Sequence, residues 1–212
     1  MEEGKIRVEG SLMVIAPLII WVAALVFFRI YRIWLPFYVI GSVGLATAII
    51  FFGRTTFPME EWLKVITGLS VHYTANLLGI HTELFQGVPG ALLVLVISQE
   101  IGWTILHIDI ECSGLLESAV FIGLFAFYPT WSIGKKLGLA FIGLTATFIA
   151  NVVRMLAIVT ILHWGGKDTL FLAHTIVARG LFFGIIVLVY WFILTKPTVS
   201  TIKHNLHRGE VG

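Results

Sequence analysis

The sequence has one cysteine, few charged residues and no basic run. Only 12% of its 212 residues are charged and 58% are hydrophobic, whereas soluble domains carry about 25% charged residues. This composition excludes an ordinary soluble domain and is typical of an integral membrane protein. Because no Lys/Arg-rich run with interleaved aromatic residues is present, we expect no nucleic acid partner.

The single cysteine, Cys112, cannot form an intrachain disulfide. It is therefore either a small buried hydrophobic residue or a reactive thiol. The seven histidines show no spacing typical of a metal site, so we expect no haem or metal ion. A serine intramembrane protease is also disfavoured, since its Gly-x-Ser-Gly sequence is missing and Ser113 follows the cysteine instead.

Five apolar stretches are predicted to cross a membrane as helices, each of which needs about 20 apolar residues. The acidic start of the chain and the lack of a cleavage site after the first stretch indicate a retained span rather than a signal peptide. The sequence thus predicts an all-α polytopic protein with a single membrane domain over residues 1–212. The predicted spans are residues 12–28, 33–52, 114–132, 137–162 and 170–194.

Basic residues flank these spans mainly on one side of the membrane. That side carries seven Lys and Arg residues against one acid, Glu210. The seven are Arg29, Arg32, Lys135, Lys136, Lys196, Lys203 and Arg208. Because basic loops stay in the cytoplasm, we expect a multi-pass protein of the cell (plasma or inner) membrane, with its N-terminus and residues 53–113 outside.

The extracytoplasmic segment is predicted to contain two kinds of structure. Residues 59–80 have apolar positions at three- and four-residue steps, which indicates an amphipathic helix on the outer membrane surface. A turn signal follows at residues 87–90. Two apolar runs, residues 91–97 and 103–110, then surround a short loop and indicate a β-hairpin that ends at the cysteine. A single re-entrant helix is the alternative.

The predicted topology brings polar residues of three spans to the outer face. Cys112 lies at the outer end of the third span, Asn151 and Arg154 in the outer half of the fourth, and His174 and Arg179 in the first turns of the fifth. A cation lowers the pKa of a thiol, and a histidine can accept the thiol proton and return it to a leaving amine. These residue types are those of an acyl-transfer site.

Ionisable residues inside a span need polar partners, since each costs about 2.5 to 3.5 kcal/mol to insert. We expect Glu117 to pair with Arg179, which lies at a matching depth. No acid on a neighbouring span is well placed for Arg154, which would leave it available for a thiolate or a substrate oxyanion. Alternatively these residues only hold the bundle together in a non-enzymatic transporter or complex subunit.

An ordered set of motifs resembles the exosortase/archaeosortase family of multi-pass membrane cysteine transpeptidases. The set is Glu111-Cys112-Ser113-Gly114, then Asn151-Val152-Val153-Arg154, then His174. The resemblance covers about residues 60–185. It implies that Cys112 is the nucleophile, that Arg154 stabilises the thiolate or the oxyanion, and that His174 is the acid/base.

The same resemblance leaves some roles open. Some archaeal members of the family use a second arginine in place of the histidine, so Arg179 is an alternative third group. Asn151, Ser113 and Glu117 are candidates for supporting roles.

The implied reaction is cleavage of a C-terminal sorting signal on exported surface proteins. Such a signal has a short recognition motif, a hydrophobic helix and a basic cluster. The acyl group would be held as a thioester on Cys112 and transferred to a lipid or another amine at the extracytoplasmic face. The resemblance implies no metal and no organic cofactor.

Overall fold

Helices make up most of the computed structural model, which describes residues 2–86, 92–98, 102–128 and 133–196. The helices are α1 (Glu2–Ile30), α2 (Trp34–Thr55), α3 (Met59–Leu77), α4 (Ile110–Ser113), α5 (Leu115–Ala126), α6 (Ile133–Gly165) and α7 (Ala178–Tyr190). A 3₁₀ turn, Lys167–Thr169, precedes α7, and π-helical turns at Leu172–Val177 and Trp191–Thr195 adjoin its two ends.

Three helical segments of the described residues are long and apolar enough to cross a membrane. They are Trp34–Thr55, Lys136–Gly165 and Lys167–Ile193. Two further apolar helices, Ala16–Ile30 within α1 and Leu115–Ala126, are shorter. The chain is thus a predominantly helical membrane protein by the length and composition of its helices.

Helix α5 is shorter than the span predicted over residues 114–132. It has 12 residues, about 18 Å at 1.5 Å per residue. Gly114, with φ 79°, separates it from α4. It ends at Ala126, and Pro129 in the sequence disfavours helix in the residue before it. Residues 129–132 of the predicted span lie outside the described residues.

Helix α3 confirms the amphipathic helix predicted from residue 59, although it ends at Leu77 instead of residue 80. Its end is set by Gly79, whose φ of 82° is typical of the residue that follows a helix. The amide of Ile80 donates to the carbonyl of Ala75 (2.9 Å) and closes this end. The buried face of α3 includes Val71 and Ala75 and packs against α6.

An antiparallel three-stranded sheet follows α3, with strand order β1 (Thr82–Gln86), β2 (Leu92–Ser98) and β3 (Gly102–Ile108). In the backbone register, Val96 of β2 pairs with Thr82 of β1 and with Thr104 of β3. Strand β1 was not predicted, since its five residues are too few for a clear alternating pattern. The turn at residues 87–90 and the loop at 99–101 lie outside the described residues and remain predictions.

Cys112 belongs to the core that these elements share. Its neighbours in this cluster come from α3, β3, α6 and the last helical segment (Lys167–Ile193). They include Val71, Ile108, Met155 and Ala173. All of these side chains are almost completely buried. Packing against four structural elements therefore fixes the position of the cysteine.

Gly114 and Gly79 form a matched pair for testing this packing. Both have a left-handed backbone, which costs an alanine roughly 1 to 2 kcal/mol. A Cβ at position 114 would lie 3.1 Å from Asn151 Nδ2, whereas a Cβ at position 79 meets nothing within 4 Å. We expect Gly114→Ala to lower the thermal unfolding temperature in detergent more than Gly79→Ala. Equal losses would contradict the close packing of Gly114 on Asn151.

Candidate active site around Cys112

Cys112 lies in a single helical turn that local hydrogen bonds hold in shape. The carbonyl of Asp109 accepts from the amides of Cys112 (2.9 Å) and Ser113 (3.0 Å). The Ser113 hydroxyl donates to the carbonyl of Ile110 (2.7 Å) and accepts from the amide of Leu115 (3.1 Å). Ser113 thus joins the cysteine turn to the start of α5, which gives it a structural supporting role.

Three successive carbonyls of this turn accept hydrogen bonds from side chains of other helices. Asn151 Nδ2 donates to the carbonyl of Cys112 (2.8 Å), and Arg154 Nη2 donates to that of Glu111. Thr67 Oγ1, on α3, donates to the next carbonyl, that of residue 113 (3.3 Å). The last carbonyls of a helix lack intrahelical partners. The Asn-x-x-Arg spacing therefore serves to satisfy two adjacent carbonyls at the cysteine.

Arg154 has an acidic partner, so the prediction that it would lack one is wrong. Its Nη1 lies 3.3 Å from Glu117 Oε1, and both side chains are largely buried. Its guanidinium also lies over the Phe182 ring, 5.1 Å from the centroid. The left-handed Gly114 separates α4 from α5, and the first turn of α5 places Glu117 against α6. The second oxygen of Glu117 is buried without a hydrogen-bond partner among the described residues.

The predicted pair between Glu117 and Arg179 is also wrong. Arg179 Nη2 lies 3.5 Å from Glu111 Oε2, and both side chains are more than half exposed. The π-helical turn before α7 holds more residues per turn than an α-helix, so a depth count along an ideal helix misplaces Arg179. An exposed ion pair of this kind contributes little to stability.

His174 lies next to the thiol. Its Nε2 is 3.7 Å from Cys112 Sγ, and its ring is half-buried. The residue belongs to the π-helical turn Leu172–Val177, and such turns often occur at functional sites. The structure thus brings together three of the predicted site residues, Cys112, His174 and Arg154, and places Arg179 outside this group.

Cys112 is only 1% exposed, and this burial raises the pKa of its thiol above the ordinary value of about 8.5. The positive charge of Arg154 lowers the pKa of the thiol but does not cancel the effect of burial. The thiol is therefore neutral at pH 7 in this conformation. A neighbouring histidine that accepts the proton is the remaining route to a thiolate.

The thiol and the histidine face an open cavity of about 490 Å³. Charged side chains from α2, α3 and the cysteine turn line it. They are Arg54, Glu60, Lys64, Asp109 and Glu111. The cavity is large enough to hold a short peptide segment or a small polar group beside Cys112.

Sequence analysis missed the α2–α3 side of this cavity. Glu60 binds both Arg54 (2.9 Å) and Lys64 (2.6 Å). Burial alone would raise the pKa of Glu60, but these two cations outweigh it and hold the pKa below its usual range. The i,i+4 spacing of Glu60 and Lys64 signals their pair, but nothing local indicates that the pair faces Cys112.

Comparisons of the chain with protein-family models, with curated proteins and with solved structures found no match. Within the described residues, no group of three or more His, Cys, Asp or Glu side chains could hold a metal ion.

The raised thiol pKa gives a pH-dependent prediction. A higher pKa means less thiolate at pH 7, so alkylation of Cys112 should rise with pH and reach its midpoint above about 8.5. Arg154→Gln/Glu117→Gln should move the midpoint higher still, because it removes the cation that lowers the thiol pKa. The change at Glu117 avoids leaving its buried carboxylate without its partner. Mass spectrometry of the single cysteine after timed alkylation measures both midpoints.

The matched control is Arg32→Gln, which removes an exposed cation between α1 and α2. It should leave the alkylation midpoint unchanged. A wild-type midpoint below pH 8, or an unchanged midpoint in the double variant, would contradict this description of the thiol.

Proposed function

We propose that this protein is a membrane cysteine transpeptidase of the exosortase/archaeosortase type. The observation that carries the proposal is the 3.7 Å approach of His174 Nε2 to Cys112 Sγ. The positive charge of Arg154 acts on the same thiol and lowers its pKa. The three residues come from three separate helical segments, and the cysteine and the histidine share one cavity.

In the first half-reaction, His174 accepts the thiol proton while Sγ attacks the carbonyl carbon of the scissile peptide. The oxyanion that forms is stabilised by the guanidinium of Arg154, which is always charged. Collapse of the intermediate breaks the C–N bond, and His174 gives its proton to the leaving amine. The acyl group remains on Cys112 as a thioester.

In the second half-reaction, an acceptor amine attacks the thioester carbonyl. His174 takes a proton from the amine and returns it to Sγ as the C–S bond breaks. The products are an amide and a free thiol, so the enzyme is regenerated without an oxidant or reductant. The acceptor in this proposal is the amine of a lipid or of another surface component.

The proposed topology has five crossings, formed by α1, α2, α5, α6 and the last helical segment. Helix α5 is the shortest, and it begins immediately after the cysteine turn. Helix α3 and the sheet then lie on the extracytoplasmic face of the cell membrane. A substrate with a C-terminal hydrophobic helix and a basic cluster would present its scissile peptide at this level.

His174 is favoured over Arg179 as the third catalytic group. The histidine approaches the thiol within 3.7 Å, whereas Arg179 is 61% exposed and pairs with the Glu111 carboxylate. A histidine can also exchange a proton near neutral pH, which an arginine cannot do. Arg179 then holds the carboxylate of Glu111, which lines the cavity.

The buried Arg154–Glu117 pair favours a second candidate function. A non-enzymatic transporter or complex subunit would also need such a pair to satisfy ionisable groups inside its bundle. Under that reading Cys112 is a packing residue, in agreement with its 1% exposure. The two functions differ in what a cysteine substitution does to exported proteins.

The transpeptidase proposal predicts the processing state of exported proteins in the native cell. Deletion of the gene should leave precursors with their hydrophobic C-terminal helix, and the wild-type chain should restore their removal. Cys112→Ala should not restore it, and His174→Ala should slow it by roughly 10²- to 10⁴-fold, the range for a lost general acid–base. C-terminal peptide mass spectrometry of the surface proteins measures the removal.

Matched variants separate chemistry from folding. His81→Ala changes an exposed histidine and should process normally. Arg179→Gln should lose less than tenfold, the free energy of an exposed ion pair being about 1 kcal/mol or less. Arg154→Ala alone would strand a buried carboxylate and cost roughly 3 to 5 kcal/mol of stability, so Arg154→Gln/Glu117→Gln is the variant to use. Full processing by Cys112→Ala would contradict the transpeptidase proposal and favour a non-enzymatic transporter or complex subunit.

A further inference from the structure

Two cavities and a groove follow one another along the C-terminal half of α2. The first cavity is the one at Cys112. The second, of about 360 Å³, is lined by residues 53–58 together with side chains from the first turns of α3. The two cavities share Arg54, Glu60 and Lys64. The catalytic proposal uses none of these three residues.

An apolar groove lies on the same helix, one to two turns closer to its N-terminus. It has a volume of about 320 Å³ between α1 and α2, with an almost wholly apolar lining. Trp21, Gly44, Ala48 and Phe52 are among its lining residues. The Trp21 indole donates to the carbonyl of Ile40 (2.9 Å), which fixes α1 against α2 beside the groove.

The groove and the second cavity adjoin in the sequence of α2. The groove ends at Phe52, and the lining of the cavity begins at Gly53. Ala48 lies six residues before Arg54, about 9 Å along the helix. An apolar slot and a charged cavity thus lie one after the other along the C-terminal half of a membrane-length helix.

Arg54 presents donor groups to the charged cavity that no described residue uses. Arg54 bonds to Glu60 through Nε only, and its two terminal nitrogens have no hydrogen-bond partner among the described residues. Its side chain is 54% exposed. Lys64 is only 8% exposed and holds the other oxygen of Glu60. Glu61 also lines the cavity but makes no ion pair with a described residue.

We propose that this part of α2 binds a membrane phospholipid, with its phosphate at Arg54 and Lys64 and an acyl chain in the groove at Ala48. A guanidinium presents its terminal N–H groups as a fork that matches two phosphate oxygens. The ammonium of Lys64 adds a second positive charge to the same wall. The bound lipid would form part of the wall beside Cys112.

The test uses the full chain in detergent and native mass spectrometry. The probes are phosphatidylglycerol, diacylglycerol with the same chains, and inorganic phosphate. We expect phosphatidylglycerol to bind and diacylglycerol to bind at least tenfold more weakly, because only the former has a phosphate. Arg54→Gln should weaken phosphatidylglycerol binding roughly tenfold, the effect of losing a charge-assisted hydrogen bond.

A second variant tests the groove. Ala48→Phe fills the apolar slot without touching a charge, and it should also weaken binding of phosphatidylglycerol. Arg32→Gln, at the other end of α2, is the matched control and should bind as the wild type does. Equal binding of diacylglycerol, or normal binding by Arg54→Gln, would overturn the phosphate site.

The arm with inorganic phosphate separates the two sources of a phosphate group. The lipid assignment is overturned if inorganic phosphate competes with phosphatidylglycerol for Arg54 and Ala48→Phe leaves phosphatidylglycerol binding unchanged. The site would then take a free anion. None of these measurements uses catalysis. Their outcome is therefore independent of the proposed transpeptidase function, and Cys112→Ala should bind phosphatidylglycerol normally.

Discussion

Three adjacent backbone carbonyls at Cys112 are the constraint on which the rest of the site depends. A one-turn helix that ends at Gly114 cannot satisfy them itself, and a buried carbonyl without a partner costs free energy. Asn151, Arg154 and Thr67 satisfy them from α6 and α3. The same hydrogen bonds therefore hold the cysteine, two helices and the start of α5 in one arrangement.

The charge of Arg154 and the burial of Cys112 have opposite effects on the pKa of the thiol. Arg154 lies within the bundle because Glu117 and the Phe182 ring compensate its charge. The remaining field of the guanidinium acts on Cys112, but burial dominates and the thiol stays neutral. In the proposed mechanism the neutral thiol depends on His174 for ionisation.

Part of the site could be predicted from the sequence, and the limits have physical causes. The approach of Arg154 and His174 to Cys112 is expected from the order of the apolar stretches, because successive antiparallel helices bring such residues to one end of a bundle. The partner of Arg154 does not follow, since a left-handed glycine and a π-helical turn both change which way later residues point. The charged wall at Lys64 was missed because it depends on contacts between distant segments, which local periodicity does not encode.

The central claim is that Cys112 carries the acyl group. Intact mass spectrometry of the protein, isolated from cells that contain its substrates but are starved of the acceptor amine, tests this most directly. We expect an added acyl mass that maps to Cys112 and that hydroxylamine removes, as it does for a thioester. Continued removal of substrate C-termini with no adduct on Cys112, and with Cys112→Ala still active, would contradict the account.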